Sequence, residues 1–184
     1  MSKLVETWFG PAFDQLDPLL QALHRKGGVL AGPVSIVFGP GIAGVLGRSI
    51  ARRAGIPTEG ALHQLRVAIH SADGVLHWNR SFDGQSVFTS HFIPVGNYPA
   101  GHWMEATGSI GLQLGVAIVA GGWHWQHLAS TLRGVRVPTW LMPRMQACKQ
   151  IRDGRYHFAV SMALPLLGTL LSYGGKLELE TERG

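Results

Sequence analysis

The chain is short of cysteine, of charge and of any long unbroken apolar run, and each shortage closes off a class of protein. Cys148 is the only cysteine among 184 residues, so no disulfide forms within the chain and nothing demands an oxidising compartment. Charged residues make up 15% and the mean hydropathy is +0.13, a composition too apolar for disorder. The opening residues, MSKLVETWFG, lack the apolar core of a signal peptide, which makes the cytoplasm the default location. The longest charge-free run, ATGSIGLQLGVAIVAGGWHWQHLASTL, is interrupted by glycines and by Ser, Gln and His. A membrane helix needs about 20 predominantly apolar residues, so none is expected there. Metal signatures are missing as well: nine histidines include no His-x-His or His-x-x-x-His, and no Cys-x-x-Cys occurs, so neither a metal nor a cofactor is expected. There is no G-x-S-x-G, and Ser90 and His91, being adjacent, face opposite ways.

What is present suits one domain, residues 1–184, with a sizeable core. Its 16 basic residues exceed 11 acids, but the arginines are dispersed, which argues against a nucleic-acid stripe. The one local cluster, Arg48, Arg52 and Arg53, forms one side of a short helix, either a solvated face or a meeting point for phosphate or an acidic partner.

Apolar residues at Phe13, Leu16, Leu19, Leu20 and Leu23 predict a helix over 12–25, bent or restarted at Pro18. GGVLAGPVSIVFG reads as a strand and residues 42–54 as a helix closed by Gly55 and Pro57. From about residue 60 the period changes to two. Nine segments follow, punctuated by Asp73-Gly74, Asp83-Gly84, Gly121-Gly122 and Asp153-Gly154, pairs suited to hairpin turns that need positive φ. The fold class is therefore mainly β: a helical part with one strand over 1–60, then an antiparallel meander over 61–181. Such a sheet protects its edges by curling into a barrel or half-barrel, covered or plugged by the N-terminal helices. GPGIAG, Gly39 to Gly44, matches a dinucleotide fingerprint, but hairpins stand where parallel crossover helices are required, so tight strand-to-helix packing is the better reading.

Chemistry concentrates in three segments. In HWNRSF the alternation puts Trp78, Arg80 and Phe82 on the inward face. A buried guanidinium needs a partner. Glu105, beside Trp103 on a later strand, is the only acid from Gln85 to Ile151, so an internal Arg80–Glu105 ion pair is expected. The alternative has Arg80 holding a ligand carboxylate or phosphate at the end of an apolar cavity. In GWHWQHL, Trp123, Trp125 and His127 share one face, as a cavity wall, a docking patch or plain packing. GVRVPTWLMP reads as a chain-crossing loop with one helical turn, a surface strap or a lid with a basic rim.

ARRAGIP, HWNRSFDG, Glu105, RGVRVPTWLMP, DGRYHFAV and LPLLGTLLSYGGKL occur in an order that resembles an uncharacterised bacterial family, Domain of Unknown Function number 4166. The resemblance implies no established activity and no catalytic residues. It implies domains that occur alone or joined to membrane proteins and to NAD-binding, saccharopine-dehydrogenase-like domains, a context of accessory or ligand-binding modules. GNYPAGHWME, rich in Gly and aromatics, departs from the family's pattern.

Three functions remain open. The first is a binding module for a largely apolar or amphiphilic small molecule with an acidic head, using Trp78, Arg80, Phe82, Trp103, Glu105, Trp125 and His127. The second is an enzyme on a lipid-like or polyketide-like substrate, with Glu105 or His127 as general base. The third is an interaction module docking through an exposed aromatic face onto a partner protein, such as an NAD-binding domain, or peripherally onto a membrane.

Overall fold

A computed structural model describes residues 3–85, 87–107, 110–138 and 142–180. The chain begins with α1 (Leu4–Phe9), a 3-10 turn (Gly10–Gln15) and α2 (Pro18–Lys26). Pro18 does restart the helix: Asp17 caps it by accepting a hydrogen bond from the Leu19 amide at 2.8 Å, and Arg25 and Lys26 occupy its last turn, where cations suit the helix dipole. Arg25 ties α2 to α1 through an ion pair with Glu6 at 3.0 Å. Helix α1 gave no signal in the sequence because six residues are too few to display a period. Its Val5, Trp8 and Phe9 are nevertheless fully buried.

Strand β1 (Gly28–Phe38) leads into α3 (Gly41–Arg53). The sheet continues through β2 (Leu62–Ala72), β3 (Val75–Phe82), β4 (Phe88–Val95), β5 (His102–Thr107), β6 (Ile110–Val119), β7 (Gly122–Leu132), β8 (Val135–Val137), β9 (Arg144–Arg152), β10 (Arg155–Leu164) and β11 (Gly168–Leu179). Every pairing is antiparallel, and β6 pairs with β7 while β1 pairs with β11, so ten strands close into a barrel. Strand β8 lies outside this ring, paired with the last residues of β7. Three hairpin turns form where expected, Asp73, Asp83 and Asp153 having φ of 51, 51 and 52° and each preceding a positive-φ glycine, while the turn expected at Gly121-Gly122 falls one residue earlier, at Ala120 and Gly121 with φ of 48 and 74°.

Barrel width grows with strand number, and eight strands already accommodate a filled interior, so ten leave space that must be plugged or lined. The two ends solve this differently. At one end α1, the 3-10 turn and α2 insert an aromatic plug: Trp8 packs on Trp103 at 5.1 Å, Phe9 on Trp123 at 5.0 Å, and His24 on Trp123 at 4.9 Å. The loop over 96–101 belongs to this end, its Tyr98 amide bonded to the Trp8 carbonyl at 2.9 Å. That loop therefore secures the plug. At the other end α3 lies against β11 and β1. A Cβ at Gly47 would run into the Leu170 carbonyl oxygen, and one at Gly39 into that of Thr169. Gly39, Gly44 and Gly47 serve close packing, Gly41 takes a positive φ of 54° at the helix start, and among the described residues the strands form no parallel crossover unit.

The strap reading of GVRVPTWLMP is corrected in part. Its first residues form β8, held to β7 by Ser130↔Val137 and Leu132↔Val135 pairing, while Thr139, Trp140 and Leu141 lie outside the described residues.

Candidate functional site

Inward alternation along β3 places Leu76, Trp78, Arg80 and Phe82 toward the barrel interior, as the sequence predicts. Arg80 faces a cavity of about 210 Å³ toward the α3 end. Apolar groups dominate its wall, among them Phe88, Phe92, Leu114, Trp125 and Met145, and Glu105 and Tyr173 add the polar points besides Arg80. A smaller void of about 50 Å³ lies on the plugged side of Arg80, bounded also by Trp78 and Tyr173. The larger space has room for about seven waters at liquid density, and it falls below the roughly 300 Å³ of drug-sized pockets, so it suits a compact molecule.

The expected Arg80–Glu105 ion pair is not formed. Arg80 Nη2 donates to Ser90 Oγ, Nη1 donates to the Tyr173 hydroxyl at 3.5 Å, and Nε is buried with no partner among the described residues. The Phe88 ring lies 5.5 Å from the guanidinium carbon. Sheet register explains the separation: Arg80 pairs with Phe88, whereas Glu105 pairs with Phe92. Those two phenylalanines are four residues apart on β4, about 13 Å along the strand. The two charged side chains therefore look into one cavity from different levels, and among the described residues Glu105 has no hydrogen-bond or ion-pair partner.

Other expected site residues are dispersed. Trp125 lines the cavity and stacks on Phe92 at 5.3 Å, and Trp78 meets both rings edge-on. Trp103 is fully buried in the plug, and Phe82 packs against Tyr173 at 6.2 Å, so neither lines the larger cavity. His127 keeps its inward register opposite Leu114, but it borders a groove at the seam between β7 and β9, with Arg144 and Gln146, instead of the cavity. The seam exists because β9 pairs with β7 only from Trp123 to Gln126. His127 Nε2 and Ser130 Oγ are 2.7 Å apart, and burial, aided by the Arg144 charge, lowers the imidazole pKa. Trp123 and Trp125 are 0 and 5% exposed, so the aromatic docking face expected as one alternative is folded inside.

Lys149 went unnoticed in the sequence. Its Nζ is buried with no hydrogen-bond partner among the described residues, 3.7 Å from the Trp78 ring centroid, 4.1 Å from that of Trp123 and 5.3 Å from that of Trp125. Burial, with the Arg80 charge second, pushes its pKa well below the usual lysine value. The three ring faces favour the ammonium and offset part of that cost. His24, deeper in the plug, is likewise held below its ordinary value by burial and then by Lys149. A period-two reading of RMQACKQIR sets Met145, Ala147, Lys149 and Ile151 on one face, the same signal that singled out Arg80. Ser90 and Tyr173, which hold Arg80, carried no comparable signal.

A family model described as a domain of unknown function, DUF4166, matches residues 16–177. The chain belongs to this family. Neither among curated proteins nor among solved structures does any match the chain. Most of the barrel, α2, α3 and all the cavity-lining residues fall within the DUF4166 match, whereas α1, which supplies Trp8 and Phe9 to the plug, precedes it. No group of three or more His, Cys, Asp or Glu side chains able to hold a metal occurs among the described residues. Among these residues, too, no helix is long and apolar enough to cross a membrane.

Proposed function

We propose that the barrel binds a compact, largely apolar small molecule through its acidic head, with Arg80 as the anchor. The observation that carries this reading is a guanidinium bordering an apolar cavity with, among the described residues, neutral hydrogen-bond partners only, Ser90 and Tyr173, and no carboxylate in contact. A carboxylate or phosphate supplies the missing counter-charge, and a guanidinium offers the fork geometry to accept it. Trp78, Phe92 and Trp125 give the apolar body a rigid aromatic wall, and the unpartnered Glu105 accepts a hydrogen bond from any donor the ligand carries. A second reading rests on that same carboxylate: unpartnered in the cavity, Glu105 has the freedom a general base requires, while His127 at the seam does not reach the cavity.

Native mass spectrometry of protein purified without added ligand tests the first reading. An acidic compound retained by the wild type and lost in Arg80→Met supports it. A retained compound indifferent to Arg80, or a neutral one, contradicts the acidic-head assignment.

A further inference from the structure

The two ends of the barrel differ in surface chemistry as sharply as in packing. Around the cavity end, Ile42 and Val45 on α3, Val87 before β4, Val135 on β8 and Leu166 in the β10–β11 turn are 70, 67, 63, 71 and 106% exposed. Leu166 is the most telling. It occupies a turn position with φ of 73°, a left-handed conformation that costs a bulky L-residue and that Gly or Asn adopts more easily. A strained, wholly exposed leucine has no packing reason to be there, and its neighbours at the same end repeat the pattern.

Charge follows the same division. Arg48, Arg52 and Arg53 on α3, Arg133 and Arg136 on the β7–β8 hairpin and Arg144 at the start of β9 are all exposed at this end. The acids on the outer surface there, among the described residues, are Glu59 and Asp83, and Asp83 is already engaged by His63 Nδ1 at 2.6 Å. At the plugged end acids and bases alternate: Glu6 pairs with Arg25, Glu178 with Arg155 and Glu180 with Arg66. Apolar tips interspersed with arginines are what a surface needs to enter the headgroup boundary of an anionic bilayer while meeting its phosphates.

We propose that the cavity end of the barrel docks onto an anionic lipid bilayer, with Leu166, Ile42 and Val135 entering the headgroup boundary and the six arginines facing lipid phosphates. This deepens the reading of the cavity as an amphiphile site, on which it rests for its purpose: the mouth that exchanges ligand faces the phase where amphiphiles reside. Helix α3 supplies both the docking face, through Ile42 and Val45, and part of the cavity wall, through Ile50 and Ala54.

Vesicle flotation tests the proposal, using vesicles of phosphatidylcholine alone and of equal parts phosphatidylcholine and phosphatidylglycerol. The wild type is expected to bind the mixed vesicles at least tenfold more tightly than the neutral ones, and to lose that preference as salt rises. Leu166→Asp, Ile42→Asp and the combined Arg48→Ser, Arg52→Ser, Arg53→Ser variant, all at exposed positions, should each lose at least tenfold. Val119→Asp, at an exposed position of the plugged end, should bind as the wild type does. Undiminished binding by the first three variants, equal loss in Val119→Asp, or no preference for anionic vesicles overturns the proposal. So does a wild-type dimer in sedimentation velocity that Leu166→Asp dissociates, which assigns the face to a second copy of the chain. Arg80→Met separates the two readings: wild-type binding to anionic vesicles together with an acidic ligand that is absent, or retained equally by Arg80→Met, leaves docking standing and refutes the cavity assignment, whereas an acidic ligand held by the wild type and lost in Arg80→Met, with no preference for anionic vesicles, refutes docking alone.

Discussion

Replacing Lys149 by Met tests whether burial or the tryptophan cage governs that side chain. Methionine has a similar length, fills the space between Trp78, Trp123 and Trp125, and exchanges cation–π contact for sulfur–aromatic contact. In the wild type the folded pKa lies below the unfolded value near 10.5, because burial disfavours the ammonium and Arg80 adds to the effect. The unfolded chain then binds more protons than the folded one at any pH between the two values. Stability must rise with pH across that window, by about 1.4 kcal/mol per unit, is full above the unfolded value and is lost as pH falls toward the folded one. Lys149→Met removes the proton uptake. It is expected to stabilise the protein at pH 7 by about 1–3 kcal/mol, in the range found when buried charges give way to apolar residues. For a chain of this size that is roughly 2–4 °C of melting temperature per kcal/mol. Urea and thermal denaturation between pH 6 and pH 10.5 measure both quantities. A wild type whose stability is flat from pH 7 to 10, together with a Met variant weakened by more than about 1 kcal/mol, would refute the reasoning and show that the aromatic faces hold a charged lysine.

His24 gives the acid-side counterpart: because burial depresses its pKa, its contribution is full above about pH 6.5 and lost as pH falls toward the folded value, and His24→Leu should flatten that acid limb in the same melts. Gly47→Ala should cost about 1–3 kcal/mol, since the new methyl meets the Leu170 carbonyl and α3 must move; an unchanged melting temperature contradicts the packing role assigned to that glycine. Arg80→Met and Glu105→Gln should act independently on apo stability, with a coupling below about 0.5 kcal/mol in a double-mutant cycle. A larger coupling would restore the ion pair that the register separates.

The strands of the meander were legible because one face of each is buried and the other wetted, so the period of two survives in the sequence, and Asp-Gly pairs mark the turns. The inward placement of Trp78 and Arg80 followed from the same alternation, which grouped Trp123 with Trp125 on one face without deciding between cavity wall, docking patch and packing. What depends on how strands align was not legible. Nothing local to HWNRSF or HWMEAT tells that Arg80 and Glu105 sit four residues apart in register, and the apparent logic of the lone acid therefore suggested a contact that the barrel does not make. A bulge at Leu128 likewise breaks the alternation of β7, making Ser130 opposite Leu112 the next inward residue after His127. Helix α1 is stabilised by tertiary burial of Trp8 and Phe9, which leaves no periodic trace in six residues. Lys149 was legible and overlooked: it interrupts an otherwise apolar inward face of β9.

The most direct test of the central claim, that Arg80 anchors an acidic head in the cavity, is a thermal-shift comparison of wild type and Arg80→Met across medium-chain and aromatic monocarboxylates and the corresponding alcohols. A monocarboxylate present at one hundred times its dissociation constant stabilises the folded state by about 2.7 kcal/mol. In a chain of this size that amounts to a rise of roughly 5–10 °C. The account predicts this rise for the wild type with at least one carboxylate and a much smaller one with the matching alcohol. Arg80→Met should show no carboxylate response while melting, without ligand, within a few degrees of the wild type. Equal stabilisation of both proteins, or of acid and alcohol alike, contradicts it.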